Sequence, residues 1–297
     1  MNSYPQTSDL STPDSVTAAG RSLFTTATFL LVLASLMLAS CAKVEPQKSE
    51  SSVVEAQQQE PETQVPVVVE PVKLPVVKKQ IPIKRPSKFK NNAEKKRFFF
   101  AYMKPFVKQE NERIRKLRGR LIEMQAAQNL SKDELRWLSD LAKRYRVKMS
   151  GSPDRGFWNQ LISGVDVVPV EMALVQAANE SAWGQSRFAT EGNNFFGQWC
   201  YSKGCGIVPS QRDKGFSHEV RRFDSPAESV SAYILNINRT RAYRELRKIR
   251  SELRKQKLPL DAEKLALGLK SYSERGMEYV KTIQSMIRSN RKLIKQS

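Results

Sequence analysis

The chain has 297 residues, enough for one or two domains, and an apolar fraction of 40% that supports a core of ordinary size. Its formal charge is +20; residues 1–90 hold ten basic and eight acidic side chains, so the other 40 basic and 22 acidic residues leave +18 on the remainder. Such a field implies an anionic neighbour (wall-peptide carboxylates, phospholipid headgroups, lipopolysaccharide or nucleic acid), although many of these cations lie at spacings that mark solvated helix faces.

In chain order, Leu23 to Leu38 is an apolar run preceded by Arg21 and closed by Leu38-Ala39-Ser40-Cys41. It is short for a membrane span and suits the apolar region of a secretory signal. The closing tetrapeptide resembles the lipobox of bacterial lipoproteins, whose cysteine becomes the lipidated first residue. A signal-anchor helix with an incidental cysteine is the alternative. Residues 1–20 depart from a basic n-region, carrying Asp9 and Asp14 and no Lys or Arg. Ala42, not an acidic residue, follows the cysteine, which fits sorting to the outer membrane. The expectation is a signal peptide over 1–40, lipidation at Cys41, and a periplasmic protein attached to the outer membrane through its lipid. Export excludes nucleic acid as a partner.

Residues 41–95 read as a disordered tether with seven prolines, runs of Gln and Ser, and no glycine. Such a segment cannot bury enough surface to fold. At about 3 Å per residue where extended, it reaches roughly 150 Å.

The folded domain is expected over 96–297. Arg97 to Gln128 has helical apolar spacing, with Pro105 placed to kink or divide it. Ser131-Lys-Asp-Glu134 is a capping box opening a helix to about Val147. A short helix follows over Phe157 to Ile162. Pro169 suits the first turn of a helix from Val170 to Trp183, with Gly184 as its stop. Strand signals occur at Gly206-Ile-Val and Glu219 to Phe223, around the turn-forming Asp213-Lys-Gly215. A second capping box, Ser225-Pro-Ala-Glu228, starts another helix, and helical patterns cover about 240–256, 261–270 and 275–294. The outline is mainly α with one small β-excursion.

Glu180 closes an almost wholly apolar run from Val167 to Ala178. A carboxylate there is partly desolvated and faces the negative end of the helix dipole, and both effects are expected to favour its protonated form. A protonated carboxyl near neutral pH can donate to a glycosidic oxygen. The alternative is an exposed helix-end Glu with no role. Trp183, Phe195, Phe196 and Trp199 follow, either as sugar platforms or as core, with two of the four expected to pack. Asn193 and Asn194 can hydrogen-bond acetamido and hydroxyl groups, and Gly192 and Gly197 let the backbone come close.

With Cys41 lipidated, Cys200 and Cys205 remain. In an oxidising compartment an even pair reads as a disulfide, with two free thiols as the alternative. So short a loop gains about 2 kcal/mol, enough to pin it locally. Two cysteines and the lone His218 are too few soft ligands for zinc. No metal or cofactor is expected.

Ala178-Asn-Glu-Ser-Ala-Trp-Gly-Gln-Ser186, Gly192-Asn-Asn-Phe-Phe-Gly197 and Phe223-Asp-Ser-Pro-Ala-Glu-Ser229 resemble the glucosaminidase domain of glycoside hydrolase family 73. The likeness extends to its Bax-type envelope proteins on Asn193-Asn-Phe-Phe-Gly-Gln-Trp-Cys200, the second cysteine, and His218-Glu-Val ahead of Phe223-Asp-Ser. It spans about 96–297. The resemblance implies a lysozyme-like helical fold with a small β-lobe, and hydrolysis of the bond after N-acetylglucosamine in peptidoglycan. It assigns Glu180 as general acid and Tyr272 to the opposite side of the cleft, where a packed helix-start tyrosine is the alternative. The second carboxylate of a two-acid glycosidase is expected from the β-lobe, with Glu219 first and Asp213 second. Glu219 pairing with Arg221, Arg222 or His218 is the alternative, and the substrate's own N-acetyl oxygen could then serve instead. Two readings compete with an enzyme: a peptidoglycan-binding scaffold that kept the fold, and a basic protein of anionic surfaces. A protein regulator is left open.

Overall fold

The computed structural model describes residues 89–127, 129–210 and 217–297. The expected signal peptide, Cys41, nearly all of the tether and Asp213 lie outside the described residues. Among the described residues no helix is long and apolar enough to cross a membrane.

Helix α1 (Asn92–Ala126) is capped by Asn91, whose side chain accepts from Glu94 N. Pro105 does not divide it, and the 35-residue helix runs through that position. The expected break fails because the buried stripe from Phe99 to Met124 continues on both sides of the proline and holds the helix against the core. Helix α2 (Lys132–Tyr145) opens on the expected reciprocal capping box between Ser131 and Glu134. Helix α3 (Arg155–Gly164) is capped by Asp154.

Helix α4 (Val170–Glu180) is the centre of the domain. Met172 to Ala178 are all buried, and α1, α8 and α9 pack around it. It ends three residues before Trp183, its expected last residue. Ala182 and Trp183 take φ of 50° and 60° ahead of Gly184 at 73°, so the chain turns sharply just after Glu180. Two successive non-glycine residues in the left-handed region are costly. Ser181 holds the turn: its Oγ donates to Ala177 O and accepts from Gly184 N.

A six-residue helix, α5 (Arg187–Gly192), precedes a three-stranded antiparallel sheet of order β1-β3-β2. Strand β1 (Trp199–Cys200) pairs Trp199 with Val220, and β2 (Gly206–Ile207) pairs Ile207 with the same Val220 of β3 (Glu219–Arg221). The sequence signals locate β2 and β3 but not β1. Helix α6 (Pro226–Arg239) starts at Ser225, where the capping differs from a reciprocal box: Ser225 Oγ accepts from Glu228 N, while Glu228 reaches back to Asp224 N. A 3-10 turn (Arg241–Tyr243) leads into α7 (Arg244–Lys255). After α8 (Ala262–Ala266), the 3-10 turn Leu267–Leu269 carries Gly268 against α7, where any Cβ would fall 2.3 Å from the Leu246 backbone. Helix α9 (Met277–Gln296) closes the fold, which is mainly α and lysozyme-like with a small β-lobe.

The end of α3 and the loop 165–169 that feeds α4 are held by polar side chains. Asn111 of α1 grips Val168 at both ends, donating to its carbonyl at 2.8 Å and accepting from its N–H at 3.1 Å. Arg118 donates to the carbonyls of Ile162 and Val165. Arg250, fully buried on α7, donates to Ser163 O, Asp166 O and Val167 O. Asp166 is itself buried and sits among Arg254 (2.8 Å), Arg118 (3.5 Å) and Arg250 (3.8 Å). These bonds set where α4 begins, and therefore where Glu180 ends.

Candidate active site

Glu180 is half-buried at the last position of α4. Its Oε1 accepts twice, from the Tyr279 hydroxyl at 2.8 Å and from Asn179 Nδ2 at 3.1 Å. Its Oε2 faces Gly197, whose added Cβ would stand 3.8 Å away. Gly197 is exposed, at φ +65°, and its missing side chain keeps that approach clear.

Behind Oε1 lies a directed chain of hydrogen bonds. Tyr233 OH donates to Gln176 Oε1 at 2.6 Å, Gln176 Nε2 donates to Tyr279 OH at 2.9 Å, and Tyr279 OH donates to Glu180. Gln176 is fully buried and lies one helical turn before Glu180, on the same face of α4. Burial, and then the Glu180 charge, push the Tyr279 phenol far above its ordinary range, so it remains a donor. Burial similarly raises Tyr233 and Tyr272, and it raises Tyr243 to about 12; Glu180 adds to each shift.

Tyr272 is part of this cluster. Its ring stacks on Tyr279 with centroids 5.4 Å apart, and its hydroxyl donates to Phe196 O at 3.0 Å. It thereby ties the segment before the β-lobe to the start of α9.

The residues expected to meet sugar divide. Asn194 is buried, with Nδ2 donating to Gln198 O and Arg221 O, and Oδ1 accepting from Phe196 N and Gln198 N. Its side chain organises the loop, and this corrects the expectation of a sugar contact. Phe196 is likewise buried, stacked on Tyr233 at 4.0 Å. Phe195 is buried too, and Trp183 packs edge-on against Phe99 and Phe100, so three of the four aromatic residues pack. Asn193 is the left-handed C-cap of α5 and donates to Phe223 O. Trp199 alone of the set faces solvent, 56% exposed, with His218 stacked on its ring at 4.3 Å.

Glu219 is buried on β3. Its two oxygens accept from Gly204 N at 3.0 Å and Gly206 N at 2.8 Å. Cys200 and Cys205 are joined in a disulfide, with their sulfurs within 4.8 Å of that carboxylate. The carboxylate and the disulfide brace one short loop. In their bonded state the two sulfurs are not thiolate ligands for a metal.

The sequence reading missed Gln176, Tyr233 and Tyr279. Gln176 had a signal, as a lone polar residue inside the apolar run four positions before Glu180. The two tyrosines had none, since they come from 57 and 103 residues further along the chain.

A mainly helical, lysozyme-like domain with a carboxyl group at the end of its central buried helix is the class that the fold and site define. The family profile of glucosaminidases (mannosyl-glycoprotein endo-beta-N-acetylglucosaminidase) matches residues 158–292. The chain is also 37% identical over 207 residues to the protein bax of Escherichia coli (strain K12), a match covering 70% of this chain and 74% of that protein. The chain therefore belongs to the Bax-type proteins with a glucosaminidase domain. No solved structure matches it.

Proposed function

We propose that the protein is a peptidoglycan hydrolase cleaving the β-1,4 bond after N-acetylglucosamine, with Glu180 as general acid. The observation that carries this reading is the asymmetric environment of the Glu180 carboxyl. With two donors aimed at Oε1, a proton on that oxygen would face hydrogens, so Oε2 is the oxygen that carries the proton in the acid form. That is the oxygen turned toward the open side at Gly197. The chain Tyr233–Gln176–Tyr279 thus orients the acid for delivery to the leaving oxygen.

Glu219 holds the disulfide loop in this reading, since both of its oxygens already accept backbone amides. The second group is then the substrate's N-acetyl oxygen, attacking the anomeric carbon as Glu180 protonates the leaving sugar, a known exception to the carboxylate pair. Trp199 offers its exposed face to a sugar ring. Lipidation at Cys41 and the long tether place the domain in the periplasm, held from the outer membrane. A non-catalytic wall-binding scaffold is the second reading, favoured by the commitment of Glu219 to the loop.

Digestion of purified sacculi with analysis of the released muropeptides by mass spectrometry tests the assignment. The expected products end in a reducing N-acetylglucosamine. Products ending in a muramic residue would reassign the bond, and binding without release would leave only the scaffold.

Replacing Tyr279 with phenylalanine removes the donor that orients Glu180. The expected result on soluble glycan strands is a kcat lower by roughly 10–100-fold with KM little changed, the range for a hydrogen bond to a charged or reacting group. A change confined to KM would mean that the tyrosine serves substrate binding instead.

A further inference from the structure

A second concave site lies apart from the residues around Glu180. A groove of about 720 Å³ opens between the loop after α2, the exposed face of α3 and the start of α7. Lys148, Arg244, Arg247 and Lys248 line it, against a single carboxylate, Asp154. That carboxylate is already engaged as the α3 cap, accepting from Phe157 N at 2.6 Å. Arg247 is anchored to Ile237 O and Thr240 O, and burial, then the neighbouring Arg244 charge, lower its pKa. Among the described residues, Lys148, Arg244 and Lys248 have no carboxylate within ion-pair distance.

Four cations gathered in a concave space against one carboxylate focus the field on an incoming anion. The lining between the cations is Ser150, Ser152, Asn159 and Gln160, hydroxyls and amides that suit a polar chain and not an acyl chain. Cations set around a concavity, and not spread over a flat face, favour a ligand that enters the groove over a bilayer surface. The groove is linked to the site along the chain: its Arg244 directly follows Tyr243, whose ring is 6.0 Å from that of Tyr272.

We propose that this groove holds the carboxylate-bearing peptides of the same wall polymer whose glycan lies at Glu180. It rests on the reading of that polymer as the substrate, and it adds a second, charge-selective hold on it.

The test measures retention of the full-length protein on sacculi by pelleting, in a Glu180→Gln background so that no cleavage intervenes. Two kinds of sacculi are used: native, and with their peptide carboxylates capped by amidation. The triple variant Lys148→Gln, Arg244→Gln, Lys248→Gln is expected to bind native sacculi about tenfold more weakly, the scale for three exposed charge contacts. On capped sacculi the parent is expected to lose the same amount and the triple variant nothing further, as in a double-mutant cycle. A control triple of exposed cations elsewhere (Lys108→Gln, Lys116→Gln, Lys295→Gln) keeps the parent's affinity. Equal loss in that control, unchanged binding by the groove variant, or a loss seen only on phosphatidylglycerol vesicles would each overturn the proposal. Muropeptide release by the unmutated protein is a separate readout. Absence of cleavage would remove the hydrolase reading and leave this binding result standing, while unchanged pelleting would do the reverse.

Discussion

Replacing Glu180 with glutamine is expected to lower the clearing of purified wall in a zymogram by roughly 10²–10⁴-fold, the contribution of a positioned general acid. Binding to the same wall is expected to persist. The substitution is close to neutral for the fold, because a glutamine oxygen can accept from Tyr279 OH and Asn179 Nδ2 as the carboxylate Oε1 does. What glutamine cannot do is give up a proton from the position of Oε2 to a departing sugar. Loss of clearing with intact binding therefore isolates the chemistry from the structure. Equal clearing by the variant would sink the assignment of Glu180, whatever the family suggests.

The second large effect is on stability, at Asp166. This carboxylate is buried, and burial works to raise its pKa. The bidentate contact from Arg254, with the charges of Arg250 and Arg118, outweighs burial and leaves the pKa below its usual value. Arg250 has its own pKa pulled down by burial to about 10, and it stays charged at neutral pH. Replacing Asp166 with asparagine strands that buried cation, and breaking a buried pair from one side costs about 3–5 kcal/mol. For a domain of this size that corresponds to a fall in Tm of roughly 6–20 °C, read by thermal denaturation at pH 7.

The pH dependence follows from the same carboxylate. Its folded pKa lies below the unfolded value of about 3.9, so its stabilisation is complete above that pH and fades as pH falls through the lower folded pKa. The parent is expected to lose stability steeply below about pH 4. The asparagine variant lacks that group's share of the acid limb, and parallel acid limbs would show that Asp166 contributes no linkage.

The two effects are connected through α4. The cluster around Asp166 holds the loop that enters the helix, and Glu180 ends the helix 14 residues later. If Glu180 acts as proposed, a partial loosening at the entrance is expected to lower turnover, since a small displacement at a reacting group costs rate.

Much of this architecture was legible because it is written locally. Ser131 and Ser225 stop their helices from starting earlier by offering side-chain acceptors to backbone N–H groups a few residues ahead. Pro169 lies where α4 starts, and the apolar run behind it can only be a buried helix. The division that Pro105 allowed for does not occur, for the opposite reason. A proline's local cost is small beside a buried stripe that extends on both sides of it, and that stripe is a property of the packed domain.

From its own residues, then, the chain determines a mainly helical domain, an acid at the end of the central helix, and a cysteine pair near aromatic side chains, because caps, periodicity and short spacings act over a few residues. Only the packed structure decides that Tyr233 and Tyr279 line up behind that acid, that Asn194 is consumed by its own loop, and that Glu219 grips Gly204 and Gly206. Those outcomes depend on which polar atoms meet once water is excluded, and the partners come from segments that sequence spacing does not relate.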